Sequence, residues 1–69
     1  MSKTVTNIII VWKQKDGVTG TATYSAGRLG PTAARQRAAS RTALLHEQGL
    51  DYMATEYYAD GSKHEFKNF

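Results

Sequence analysis

The sequence predicts a small α+β fold: a four-stranded antiparallel sheet with one helix packed on one face, in the order ββαββ. Three observations predict it. A stretch rich in β-branched residues and one of alternating threonines flank Lys15-Asp16-Gly17 near the start, and two further strand-length stretches flank Ala59-Asp60-Gly61 near the end. Each reads as a hairpin with an X-Asp-Gly turn. One alanine-rich stretch lies between them, bracketed by Pro31 and Gly49, which are a helix start and a helix stop. At 69 residues the chain has room for one domain with a thin core.

The first strand covers residues 5–14, where Ile8, Ile9, Ile10, Val11 and Trp12 run without a polar break. The second, 18–25, alternates Thr19, Thr21 and Thr23 with Gly20, Ala22 and Tyr24, the period of a pleated strand. A two-residue Asp-Gly turn sets Trp12 opposite Thr21. A three-residue loop with Gly17 left-handed sets Trp12 opposite Gly20 and Ile10 opposite Ala22. The second register gathers Ile8, Ile10, Trp12, Ala22 and Tyr24 on one face and puts large side chains against small ones. It is the one expected.

Residues 26–31, with two glycines and the chain's one proline, read as a connection. The helix is expected over 32–48. If Gly49 is its left-handed stop, Leu50 and Leu45 form the hydrophobic contact of a Schellman motif. Ala34, Ala38, Thr42 and Leu45 share one stripe with Leu44 on its flank, and Gln36, Ser40, Ala43 and Glu47 lie opposite. An inward face made mostly of alanine lets the helix lie close to the sheet. The third strand is 52–58 and the fourth 62–69. A three-residue turn pairs Ala54 with Phe66 and Glu56 with His64, whereas a two-residue turn sets Glu56 against Glu65, like charge on like. A helix crossing back over the sheet gives the strand order 2-1-3-4. Trp12, Tyr24 and Phe66 are assigned to the core.

Composition narrows the chemistry. Without cysteine, neither disulfides nor thiolate zinc sites can form. The two histidines, His46 and His64, show no metal-ligand spacing, so no metal and no cofactor are expected. The N-terminal residues are polar, and the apolar run 8–12 is too short to span a bilayer or serve as a signal core; a cytoplasmic protein is the expectation, with no membrane partner. Nine Lys and Arg against six Asp and Glu give a net charge of +3, a mild bias toward nucleic acid or an acidic protein surface. No nucleophile elbow, phosphate loop, dinucleotide fingerprint or zinc-protease motif occurs. Glu56 and His64 are cross-strand neighbours and could exchange a proton on paper. A surface pair that merely avoids repulsion needs less explanation, and the expectation is no enzyme and no catalytic residue.

Three features point to binding. One helix covers one face of the sheet, leaving Ile9, Val11, Thr19, Thr21, Thr23, Met53, Thr55 and Tyr57 on the other, rimmed by Lys13, Lys63 and Lys67. Contiguous apolar area rimmed by charge marks an interface; the alternative is a central strand screened by its threonine and lysine neighbours. Gly27-Arg28-Leu29-Gly30 leads into the helix and could cradle a phosphate. The same G-x-x-G spacing occurs in the loop of KH domains, but there it joins two helices and here it follows a strand, so it also reads as a plain connection. Arg35, Arg37 and Arg41 put cations early in a helix, against its dipole; with Arg28 they would form a basic edge, or they are a solvated flank.

In size, lack of cysteine and hairpin-helix-strand order, the chain resembles small phage proteins that disable host machinery, such as anti-CRISPR proteins and phage inhibitors of host RNA polymerase. The resemblance is one of architecture and carries over no functional residue. It implies a non-catalytic inhibitor, encoded by a phage or mobile element, that occupies a surface of a nucleic-acid-handling protein. On this reading Ile9, Val11, Tyr57 and Lys63 contact a protein target through the open sheet face, and Arg28, Arg35, Arg37 and Arg41 supply a charged contact. The alternatives are direct nucleic-acid binding through the basic edge, and a self-associating structural protein that forms a homodimer through the open face.

Overall fold

The computed structural model describes residues 4–69; the first three residues of the polar N-terminal stretch lie outside the described residues. The elements are β1 (Val5–Lys13), β2 (Thr19–Ser25), a four-residue helix α1 (Ala26–Leu29), the main helix α2 (Pro31–Glu47), β3 (Tyr52–Tyr58) and β4 (Lys63–Lys67). The sheet is antiparallel in the order β2-β1-β3-β4, the expected α+β arrangement.

Both hairpins close with one design. In the first, Gln14 N–H donates to the Val18 carbonyl at 2.8 Å, Gly17 N–H donates to the Gln14 carbonyl at 3.0 Å, and Asp16 Oδ1 accepts from Val18 N–H at 2.9 Å. In the second, Tyr58, Ser62, Gly61 and Asp60 repeat these contacts at 3.0, 3.1 and 2.9 Å. Gly17 and Gly61 sit at φ 89° and 87°, a conformation that glycine adopts without steric cost. These three-residue turns set the registers: Trp12 faces Gly20, Ile10 faces Ala22, Ala54 faces Phe66 and Glu56 faces His64.

α2 ends as a Schellman motif. Gly49 has φ 71°, Leu50 N–H reaches the Leu45 carbonyl at 3.0 Å, and Gly49 N–H reaches the His46 carbonyl at 3.0 Å. Leu45 is buried and Leu50 packs on the same core. That core comprises Val5, Ile8, Ile10, Ala26, Ala34, Ala38, Leu45 and Ala54, with Trp12, Tyr24, Tyr52 and Tyr58 at its margin. Ile10 and Ala34 are fully buried. Alanine on the helix therefore meets isoleucine on the strand, and the backbones can approach closely.

Two features depart from expectation. Residues 26–29 form a helical turn, where a loop was predicted: Gly30 N–H closes on the Ala26 carbonyl at 2.8 Å and Ala26 is buried in the core. Phe66, predicted to be core, is 43% exposed. It does lie on the helix side of the sheet, but α2 rests over β1 and β2 and scarcely touches β3. A helix with its side chains is roughly 10–12 Å across, and four strands at about 4.8 Å spacing span about 15 Å between outer axes. One helix entering from the β2 edge cannot also shelter the opposite edge. All of β4 is exposed.

Candidate functional site

The registers lay out the face opposite α2 in rows across the four strands. Ser25, Asn7, Tyr57 and Lys63 form the first row, Thr23, Ile9, Thr55 and Glu65 the second, and Thr21, Val11, Met53 and Lys67 the third; Thr19 and Lys13 begin a fourth. Alternation along each strand puts these side chains on one side. No helix or strand among the described residues covers them.

The four residues predicted for this face lie together on it. Ile9 and Val11 are half-buried in the central strand, Tyr57 is 37% exposed, and Lys63 stands directly across from Tyr57. The middle of the face is partly screened: Thr55 is 7% exposed, hemmed in by Ile9 and Glu65 on its two sides. Neighbours thus screen the face at Thr55, while Val11 and Met53 stay partly exposed and Tyr57 exposed.

Two residues belong here that sequence reasoning did not single out. Glu65 sits among the rim lysines, its Oε1 3.8 Å from Lys63 Nζ, so the rim is mixed in charge. Phe69, 71% exposed, lines a shallow hollow with Val11, Lys13, Thr19 and Met53. The alternation of 63, 65 and 67 carried on to 69 was the signal that could have placed it there.

The four arginines are not equivalent. Arg41 lies against the sheet, its guanidinium carbon 5.5 Å from the Trp12 ring centroid and its Nε donating to the Tyr24 hydroxyl at 3.3 Å. Arg35, on the other flank, reaches Glu56 Oε2 at 3.9 Å while half exposed. Arg28 and Arg37 are exposed with no carboxylate partner among the described residues. Arg28 thus lies on α1, Arg35 and Arg37 near the start of α2 and Arg41 past its middle, and two of the four, Arg35 and Arg41, are engaged by the sheet.

Glu56 and His64 pair across β3 and β4 as predicted, yet their side chains are engaged elsewhere. Glu56 Oε2 accepts the Tyr58 hydroxyl at 2.7 Å, and the His64 ring stands edge-on to Phe66 with centroids 4.2 Å apart. The hydrogen bond to the Glu56 carboxylate, first among the causes, holds the Tyr58 phenol above the ordinary tyrosine value of 10.0. Among the described residues no group of three or more His, Cys, Asp or Glu side chains could hold a metal ion, and no helix is long and apolar enough to cross a membrane.

The chain matches no protein-family model, no curated protein and no solved structure.

Proposed function

We propose that this chain is a non-catalytic binding protein that presents the open face of its sheet to a protein target. One observation carries this reading: the rows around Ile9, Val11, Met53 and Tyr57 place apolar side chains on a face that no element among the described residues covers. Mixed charge at the margin, from Lys63, Glu65 and Lys67, suits a protein surface better than a polyanion, because apolar centres with polar rims are the anatomy of protein interfaces. The architectural resemblance to small phage inhibitors names the class of target in this reading, a host protein that handles nucleic acid. Binding would then block or modulate that protein by occupying its surface.

Direct nucleic-acid binding is the second reading. It is favoured by Arg28 and Arg37, which have no carboxylate partner among the described residues, and weakened by the internal contacts of Arg35 and Arg41. Titrating labelled mixed-sequence DNA and RNA, single- and double-stranded, at low and moderate salt separates the two. Phosphate contacts make affinity fall steeply with salt. The proposal expects no tight binding at moderate salt; tight binding at low salt that collapses as salt rises, and is lost in Arg28→Ala/Arg37→Ala, would replace it with the second reading.

A further inference from the structure

We propose that the outer edge of β4 pairs with β4 of a second copy of this chain, across a two-fold axis, to give one continuous eight-stranded sheet. The inference does not depend on the target-binding reading: it rests on the backbone edge of β4, although the Glu65 and Lys67 side chains also stand at the margin of the open face.

The backbone comes first. Tyr58 N–H bonds to the Ser62 carbonyl and Asn68 N–H to the Tyr52 carbonyl. With the β3–β4 register, these bonds make Ser62, His64, Phe66 and Asn68 the residues whose N–H and C=O groups face β3. Lys63, Glu65 and Lys67 therefore turn their backbone groups outward, and no strand among the described residues meets them. An unpaired row of this kind is a template for another strand.

Side chains then select the register. Antiparallel self-pairing through the outward-facing residues allows a few alignments. Centring on Glu65 sets Glu65 against its own copy and Lys63 against Lys67, all like charges. Centring on His64 pairs Lys63 with Glu65 but runs the strand into the Asp60-Gly61 turn. Centring on Phe66 sets each Glu65 opposite the partner's Lys67, two opposite-charge pairs, and brings Phe66 beside the partner's Phe66 as a pair with no hydrogen bonds between them. Such pairs have the closest side chains of an antiparallel ladder. Charge complementarity and the exposed ring agree on this one alignment.

The same alignment accounts for the uncovered side of β4. The two-fold axis runs perpendicular to the sheet, so both α2 helices lie on one face with the two Phe66 rings between them. Each ring then borders the strip lined by Arg35, Ala38, Ala39, Thr42 and Ala54 that α2 leaves bare. The opposite edge offers no such selection. β2 has no charged residue to fix a register, and its inner side chains Ala22 and Tyr24 are already half-buried near α2. A contact along one five-residue strand edge is small beside permanent interfaces, which bury upward of about 2,000 Å², so the dimer is reversible and concentration-dependent.

Sedimentation velocity of the full chain over a range of concentrations tests this, with circular dichroism to verify folding. The wild type is expected to pass from monomer to dimer. Glu65→Lys should weaken the dimer by at least about tenfold, since it sets two like-charge pairs across the axis, and adding Lys67→Glu should restore it. Because the chain has no cysteine, Phe66→Cys should oxidise to a disulfide-linked dimer, the two Cα atoms lying about 4.5 Å apart in such a pair, and His64→Cys should not. A chain that stays monomeric throughout, a dimer indifferent to Glu65→Lys, or cross-linking through position 64 instead of 66 would overturn the proposal. Val11→Thr/Tyr57→Glu, on the open face, should leave dimerisation intact, which keeps the result separate from any test of target binding.

Discussion

A Cβ at position 20 would collide with the Trp12 indole, whose Cε2, Cζ2 and Nε1 atoms lie directly over Gly20. The ring cannot swing away freely, because the Arg41 guanidinium stands against it and is itself tied to Tyr24. Gly20→Val is therefore expected to destabilise the fold by about 1–3 kcal/mol, the usual cost of forcing extra volume into a packed site, and to change the fluorescence of the chain's one tryptophan. Urea unfolding monitored at that fluorescence reads both; an unchanged midpoint would mean that the indole does not rest on Gly20. Arg41→Ala should cost roughly 1 kcal/mol through its lost ring contact and hydrogen bond, and Arg37→Ala less than about 0.5 kcal/mol. Similar losses for the two would show that Arg41 is as solvated as its neighbour. At Tyr58 the expected effect is on titration. Its phenol keeps its proton to higher pH in the folded chain than in the unfolded one, so the stabilisation from its bond to Glu56 is fully present below the ordinary tyrosine value and is lost as pH rises through the raised one. NMR of the Tyr58 ring should show its proton retained above the ordinary tyrosine value, and Glu56→Gln should lower that titration. Identical titrations for the two chains would mean that the bond does not persist in solution.

At the scale of the elements, exposure decides which apolar residue matters. Phe66 is larger than Ile10, yet Phe66→Ala, measured at low protein concentration, should cost about 1 kcal/mol or less, because α2 does not reach it. Ile10→Ala should cost about 2–5 kcal/mol. Thermal or urea unfolding of the two variants reads the difference, and a larger loss at Phe66 would place α2 over β4. This pair also marks how far the sequence could be read. The Asp-Gly turns, the avoided Glu56–Glu65 clash and the Gly49-Leu50 stop are local signals, and they were enough for both hairpin registers and the helix end; the strand order came from the rule that the helix crosses back over the sheet. Where a rigid helix lands on a sheet wider than itself is a global outcome, and no local signal near Phe66 reports it. The inward turn of Arg35 and Arg41 depends on the same placement, so a wheel that groups arginines by flank could not tell which of them meet Glu56 and Trp12. The helical turn at 26–29 was hidden by Gly27 and its neighbour Gly30, since glycine is a poor helix former; burial of Ala26 and the bond from Gly30 to it stabilise the turn.

For the molecule as a whole, the arrangement separates stability from recognition. α1, α2, β1 and the margins of β2 and β3 make the core, and on the proposed reading the opposite face of the sheet is where the target binds. The direct test is to immobilise the wild-type chain and a folded Val11→Thr/Tyr57→Glu variant, then compare the proteins each captures from cells that express the chain. The carboxylate introduced at position 57 stands across from Lys63 and so preserves the strand pairing. A discrete target held by the wild type and lost by the variant is the expected outcome. Capture of the same target by both, or of none by the wild type, would contradict the claim that the open sheet face is the binding surface.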